Sequence, residues 1–170
     1  EEGRLMDAVL RENFVERVFV YHRWQSLCRG SPGAGELVDF HTRHKFIVLS
    51  HDETAYRELG RLVAEAGKGD LEATLQHYIR VLMRALKKNA TPKQHANILM
   101  HILGFFKRQL ATADKAELLD LIDAYRRSQV PLVVPITLIK HHLRHYPDDY
   151  LSQQYYLNPH PRELMLRNHI

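Results

Sequence analysis

Helix-breaking residues fall mostly between the apolar-periodic stretches of this chain rather than inside them. That spacing constrains the fold more than any other feature. A first helix is expected from an Asp7 N-cap to about Leu27, stopped by Arg29-Gly30-Ser31-Pro32-Gly33. A second covers Glu36 to Ser50, and a third runs from Glu53 to Ala66 before Gly67-Lys68-Gly69. Asp70 is placed to cap a fourth that reaches Lys88. Thr91-Pro92 opens a fifth, because a capping hydroxyl is followed by a proline whose missing N–H costs nothing at the first helical position. That helix is expected to reach about Leu110, and a sixth spans Thr112 to Arg127. Pro131 and Pro135 bracket an extended Leu-Val-Val stretch, followed by a seventh helix to Tyr146. A short helix from about Asp149 to Tyr155 and the tail Asn158-Pro159-His160-Pro161 close the chain. Leu132 to Val134 is too short to found a sheet. The expected class is therefore all-α, a compact bundle of about seven to eight helices with a proline-punctuated C-terminal tail.

Composition narrows the chemistry. With 170 residues, 45% of them hydrophobic, the chain is long enough to bury a core of its own. Its one cysteine, Cys28, excludes an internal disulfide framework and a cysteine-ligated metal or cluster within the chain. No apolar run approaches the roughly 18 residues that a membrane helix needs. A cytoplasmic location fits these features. The start, Glu1-Glu2-Gly3-Arg4, lacks an initiator Met and a signal-peptide core, and reads as a cut inside a longer protein or a processed end.

Charge is unevenly placed. The net charge is only +4, yet the 41 residues from Ala73 to Ala113 contain no Asp or Glu. They do contain Arg80, Arg84, Lys87, Lys88, Lys93, Lys107 and Arg108. A second acid-free stretch, Ala124 to Pro147, carries Arg126, Arg127, Lys140 and Arg144 beside His141, His142 and His145. Segregated positive charge attracts a phosphate backbone, although a solvated basic face without a partner has the same composition.

On the fifth expected helix, Lys93, Asn97, His101, Gly104 and Arg108 fall within an arc of about 80°, opposite Leu99, Ile102, Leu103, Phe106 and Leu110. Gly104 on that polar stripe either lets a phosphate or backbone approach or accommodates a neighbouring helix. His95 points to the apolar side, as a hydrogen-bonded core histidine would. The second expected helix has apolar residues all round, with Phe40 and Ile47, Val38 and Leu49, and Phe46 pointing three ways, so it is expected to be central. It also carries His41, Arg43, His44 and Lys45, with His51 just past its end. Such polar groups form either a hydrogen-bonded network between helices or a polar cleft for a ligand.

Signs of a chemical engine are weak. His141-x3-His145 and His41-x2-His44 have spacings at which two histidines converge, but neither lies in a HExxH motif, and no metal site is assigned. There is no GxSxG and no phosphate-cradling glycine loop, and no catalytic residue is assigned.

Taken in order, the motifs form a set. Phe40-His41-Thr42-Arg43-His44-Lys45-Phe46 and Tyr56-Arg57-Glu58-Leu59-Gly60-Arg61-Leu62-Val63 resemble the opening of the YbgA-like family, a domain of unknown function. His95-Ala96-Asn97 through Gly104-Phe105-Phe106-Lys107 is similar to its His-x-Asn and Gly-Tyr-Phe-Lys signature, with Phe105 in place of tyrosine. Tyr125-Arg126-Arg127, Val130-Pro131-Leu132 and Pro135 resemble its next block, where Ser128 replaces a common glycine. Tyr150-Leu151, Gln154, Tyr156-Leu157, Pro159-His160-Pro161 and Glu163-Leu164 resemble its last block, so the resemblance covers about Phe40 to Asn168.

Glu1-Glu2-Gly3-Arg4-Leu5 and Leu10-Arg11-Glu12-Asn13-Phe14 resemble the end of a TudS-type desulfidase domain. Residues 1–14 are accordingly expected to be the tail of that domain or a linker, and 15–170 a single YbgA-like helical domain. The fusion of the two resembles the RudS group, which removes sulfur from thiouridine in tRNA. The resemblance implies an upstream domain holding an iron–sulfur cluster and doing the chemistry, with this chain cofactor-free, non-catalytic and bound to tRNA. Phosphate contacts would come from Lys93, Asn97, His101, Arg108, Arg126, Arg127, Lys140 and Arg144, and base stacking from Tyr155 or Tyr156 unless both anchor the tail. Two other classes stay open: a structural or dimerisation module docking through Phe14, Val18 and Tyr21, and an independent enzyme using His41, His44 and His101.

Overall fold

The computed structural model describes residues 2–169. Glu1, the first residue of the desulfidase-like segment, and Ile170, the last of the expected domain, lie outside the described residues. Among the described residues regular structure is helical only, so the class is all-α. The chain separates into two compact units, one reaching to Ala90 and including Gln154–Pro161, the other comprising Thr91–Gln153 and the residues from Arg162 onward. The sequence suggested one domain over 15–170. The expected boundary at residue 14 falls inside a continuous helix, α1 (Ala8–Arg29).

The first unit holds α1, α2 (Ala34–His51), α3 (Glu53–Glu65) and α4 (Leu71–Ala85). Asp7, Asp52 and Asp70 cap α1, α3 and α4 by accepting hydrogen bonds from amides of the first turn, which would otherwise have no partner. For Asp52, burial raises the carboxyl pKa, but Lys88 and the amides of Ala55 and Thr54 outweigh it and hold the pKa below its ordinary value. The core gathers Val20, Leu37, Ile47, Leu59 and Leu82 around an aromatic cluster. Trp24 stacks on Tyr78 at 5.3 Å between ring centroids and meets Phe40 edge-on.

As its all-round apolar pattern implied, α2 is central to this unit and packs against α1, α3 and α4. Val38 alone of the residues defining that pattern is exposed. At the end of α2, His51 is fully engaged. Its Nε2 lies 2.8 Å from Oε1 of Glu16 on α1, and its Nδ1 donates to the Lys88 carbonyl just past α4. Both neighbours are acceptors, so the pair must hold a proton beyond that of a neutral ring.

The second unit holds α5 (Pro92–Phe105), α6 (Thr112–Arg126), α7 (Val133–His145) and the single turn α8 (Asp149–Ser152). Thr91 and Gln94 form a reciprocal capping box at the start of α5. The helix ends at Phe105, short of the expected Leu110. The amides of Phe106 and Lys107 reach carbonyls only three residues back, closing a tight turn that buries Phe106 and Leu110. Burial of Ile98, Leu99, Ile102 and Phe106, at about 1.5–3 kcal/mol each, easily exceeds the roughly 1 kcal/mol propensity cost of Gly104.

Ser128 does keep the glycine-type turn after α6, with φ 56°. The Gln129 amide reaches Ala124 O and the Ser128 amide reaches Tyr125 O, the paired bonds of a left-handed helix stop. The extended stretch expected at Leu132 to Val134 is not found: Leu132 is helical and α7 starts at Val133. Pro135 lies in its first turn, where no intrahelical N–H bond is lost.

Candidate functional site

The basic residues expected to contact phosphate fall into three environments. Lys93, Asn97 and His101 are exposed on α5, and Arg108 is exposed in the turn beyond it rather than on the helix itself. Lys107 in that turn and Arg144 at the end of α7 are exposed too. Among the described residues, Lys93, Lys107, Arg108 and Arg144 belong to no ion pair. A Cβ on Gly104 would meet nothing within 4 Å, so no neighbouring helix explains that glycine.

Arg126 and Arg127 differ, since both grip Asp123, at 2.6 and 2.9 Å. The acid-free stretch begins one residue after Asp123, but a helix places residues three and four apart on one face. These two arginines are therefore not unopposed as the linear sequence suggested. Lys140 is half-buried, and burial together with nearby Arg167 and Arg162 pushes its ammonium down to about 8. The sequence reading overlooked Arg162 and Arg167.

The second candidate is a cleft between α1 and α2 of about 400 Å³, closed on one side by Tyr155. Of the four residues expected there, Arg43 and His44 line it; His41 and Lys45 do not. His41 turns to α4, with Nδ1 3.0 Å from the Tyr78 hydroxyl. Burial and the charge of Lys45 push its pKa to about 4. His101, the third histidine of that set, lies on α5 in the second unit. The structure adds Arg23 and Tyr155, which the sequence reading did not connect to the cleft.

Each is held firmly. The Tyr155 amide donates to Arg43 O, and the Gln154 side chain donates to Thr42 O, fastening the tail over α2. The Arg23 guanidinium lies 3.9 Å from the centre of the Tyr155 ring, and Nη2 donates to Pro159 O at 2.6 Å. On the cleft floor His44 stacks on Phe40 at 4.0 Å and packs against Tyr155 at 4.6 Å. Its Nδ1 donates to the Phe40 carbonyl at 2.7 Å, and burial pushes its pKa to about 3. With both Arg23 and His44 against Tyr155, and Tyr156 fully buried, neither tyrosine is a free stacking platform. They serve as tail anchors.

The rings of His141 and His145 lie 4.7 Å apart, and among the described residues no third His, Cys, Asp or Glu joins them as a metal ligand. Among the same residues, no helix is long and apolar enough to cross a membrane.

An all-α chain with a polar cleft and an exposed basic stripe is the class these features define. Residues 45–161 match the family described as Protein of unknown function (DUF1722). The chain is also 35% identical over 153 residues to the Uncharacterized protein YbgA of Escherichia coli (strain K12), covering 89% of this chain and 90% of that relative. The chain belongs to this YbgA-like family. No solved structure matches it.

Proposed function

We propose that this chain is an accessory RNA-binding domain that holds tRNA for a desulfidase domain of the same polypeptide, which removes sulfur from thiouridine. The observation carrying the reading is the exposed stripe of Lys93, Asn97 and His101 on α5, continued by Lys107 and Arg108, in a segment free of acids. Cations without carboxylate partners release condensed counterions when they meet phosphate, which supplies affinity and orientation without reading sequence. Arg126 and Arg127, shared with Asp123, contribute less, and half-buried Lys140 less again. The iron–sulfur cluster and its chemistry belong to the upstream domain, since Cys28 is the only cysteine here.

The test is tRNA titration of the full chain across a salt series. Replacing Arg108 with alanine should weaken binding and reduce the log–log salt slope by about one unit. Arg57→Ala removes the same charge, but Arg57 is an exposed residue already paired with Glu53, so it should do less. Equal effects, or no binding at low salt, would overturn the reading.

A second reading rests on α1, where Phe14, Val18 and Tyr21 form a stripe 48%, 49% and 43% exposed. Such a stripe suits docking to the desulfidase domain or to a second copy. Val18→Asp would then disrupt association measured by sedimentation while leaving the tRNA salt slope unchanged.

A further inference from the structure

Helix α1 presents a face that the rest of its unit leaves uncovered. Phe14, Val18 and Tyr21 follow one another at i, i+4 and i+7, so they lie within an arc of about 60°. Each keeps between 43% and 49% of its surface exposed. Gln25 and Cys28, both exposed, continue the same line toward the end of the helix. The opposite side of α1 is the one that packs: Val20 and Trp24 enter the core, and Glu16 is buried against His51. Single exposed apolar residues are ordinary on a surface, but three large ones in a row on one helix face mark a place where something docks.

Charge at its edges restricts the partner. Arg11 and Arg17 stand one turn before and one turn after Phe14, on opposite sides of the row, and His22 and Arg29 lie on the Arg11 side. Arg11, His22 and Arg29 are exposed and Arg17 is half-buried. Nη1 of Arg11 donates to the Leu5 carbonyl at 3.1 Å. The acids of α1 point elsewhere, Glu16 into the fold and Glu12 about 160° away from Phe14. On the neighbouring helices, Glu36 and Asp39 line the cleft between α1 and α2. Burial first and Glu72 of α4 second raise the Cys28 pKa, which places Glu72 at the far end of the row from Phe14. A second copy does not suit such a face. Two-fold pairing of α1 with itself sets the Arg11, His22 and Arg29 edge beside its own copy if the helices run antiparallel, and beside Arg17 if they run parallel, so cations meet cations either way. RNA suits the charge but not the row. Phe14 and Tyr21 are about 10.5 Å apart along the axis with an aliphatic valine between them, whereas stacked bases repeat at about 3.4 Å.

We infer that this face of α1 docks an acidic amphipathic helix of a protein partner, its apolar side on Phe14, Val18 and Tyr21 and its flanking Asp or Glu residues against Arg11, Arg17 and Arg29. The i, i+4, i+7 spacing is the one through which helices engage each other by a single apolar face. The apolar row supplies the buried area, while the cationic edges speed encounter with an acidic helix and reject a basic one. The inference rests on the docking reading of α1 given above, names the chemistry of its partner and does not depend on tRNA binding.

The probes are two synthetic amphipathic helices of about 20 residues with the same leucine row, one edged with Glu and the other with Lys. Each is titrated against the full chain by fluorescence anisotropy. The Glu-edged helix should bind saturably and about tenfold more tightly than the Lys-edged one, and the gap should narrow as salt is raised. This contrast requires no mutation. Val18→Asp should weaken the Glu-edged helix by about tenfold or more, and Arg11→Glu combined with Arg29→Glu should reverse the preference between the probes. All three positions are exposed, so the denaturation midpoint should stay close to that of the parent chain. Equal binding of the two probes overturns the acidic partner but leaves α1 as a docking face. Binding indifferent to Val18→Asp overturns the docking reading itself, as does no saturable binding of either probe up to about 1 mM. A dimer in sedimentation that Val18→Asp dissolves would make a second copy the occupant, and loss of tRNA binding in Val18→Asp would make the face part of an RNA surface; either result overturns the inference.

Discussion

Two histidines one heptad apart on α2 have opposite surroundings. His51 has an oxygen at each ring nitrogen, the Glu16 carboxylate at 2.8 Å and the Lys88 carbonyl. His44 has one satisfied nitrogen and one that is buried without a hydrogen-bond partner. Both are buried, at 5% and 1% exposed, so burial alone does not separate them. What separates them is whether their hydrogen bonds close. A closed polar group ties elements together, and here it joins α1 and α2 to the segment following α4. An open one costs stability.

The largest expected effect tests the closed end. Glu16→Ala leaves His51 buried without its carboxylate and should destabilise the fold by about 3–5 kcal/mol, read from denaturant midpoints. A loss below about 1 kcal/mol would place the pair outside the framework.

The second tests the open end through pH. His41 and His44 have folded pKa values near 4 and 3, below the ordinary value of 6.5, through burial. Above pH 6.5 both rings are neutral in the folded and unfolded states. Below it the unfolded chain takes up protons that the fold refuses, so stability falls as pH drops from 6.5 toward 4. The slope approaches about 1.4 kcal/mol per pH unit for each ring. A denaturation midpoint that stays level between pH 7 and 5 would break this account.

A smaller effect sharpens the contrast. His44→Ala removes a ring stacked on Phe40, but its hydrogen bond is local to its own helix, so the loss should be about 1–3 kcal/mol, less than for Glu16→Ala. If the order reverses, His44 is the framework residue. Last, Ser128→Gly serves as a control in the other unit. It relieves a left-handed residue and should stabilise by about 1 kcal/mol without changing the pH dependence. A loss of stability would mean that the serine side chain secures the turn.

Helix starts were legible because their signals are local. Asp7, Asp70 and Thr91 sit next to the amides they cap, and Thr91-Pro92-Lys93-Gln94 contains its whole capping box. The start of α7 was misread for the same reason. Two prolines four residues apart look like brackets, and only the fold shows that the second occupies a first turn.

The candidate site was half legible. Arg43 and His44 stood out because charged groups on an apolar helix demand partners. Arg23 and Tyr155 did not, since they are 132 residues apart in the sequence and nothing local links them. On the basic stripe, composition found Lys93 and Arg108 but missed the pairing of Arg126 and Arg127 with Asp123, which depends on helical geometry.

The sequence by itself determined the all-α class, the capped helix starts and the segregation of charge, because each follows from residues within a few positions of one another. Only the tertiary structure decided which polar side chains close on each other and which stay open. A hydrogen bond needs its two atoms within about 3 Å, and no periodicity in the chain specifies that distance between α1, α2 and a tail more than a hundred residues away.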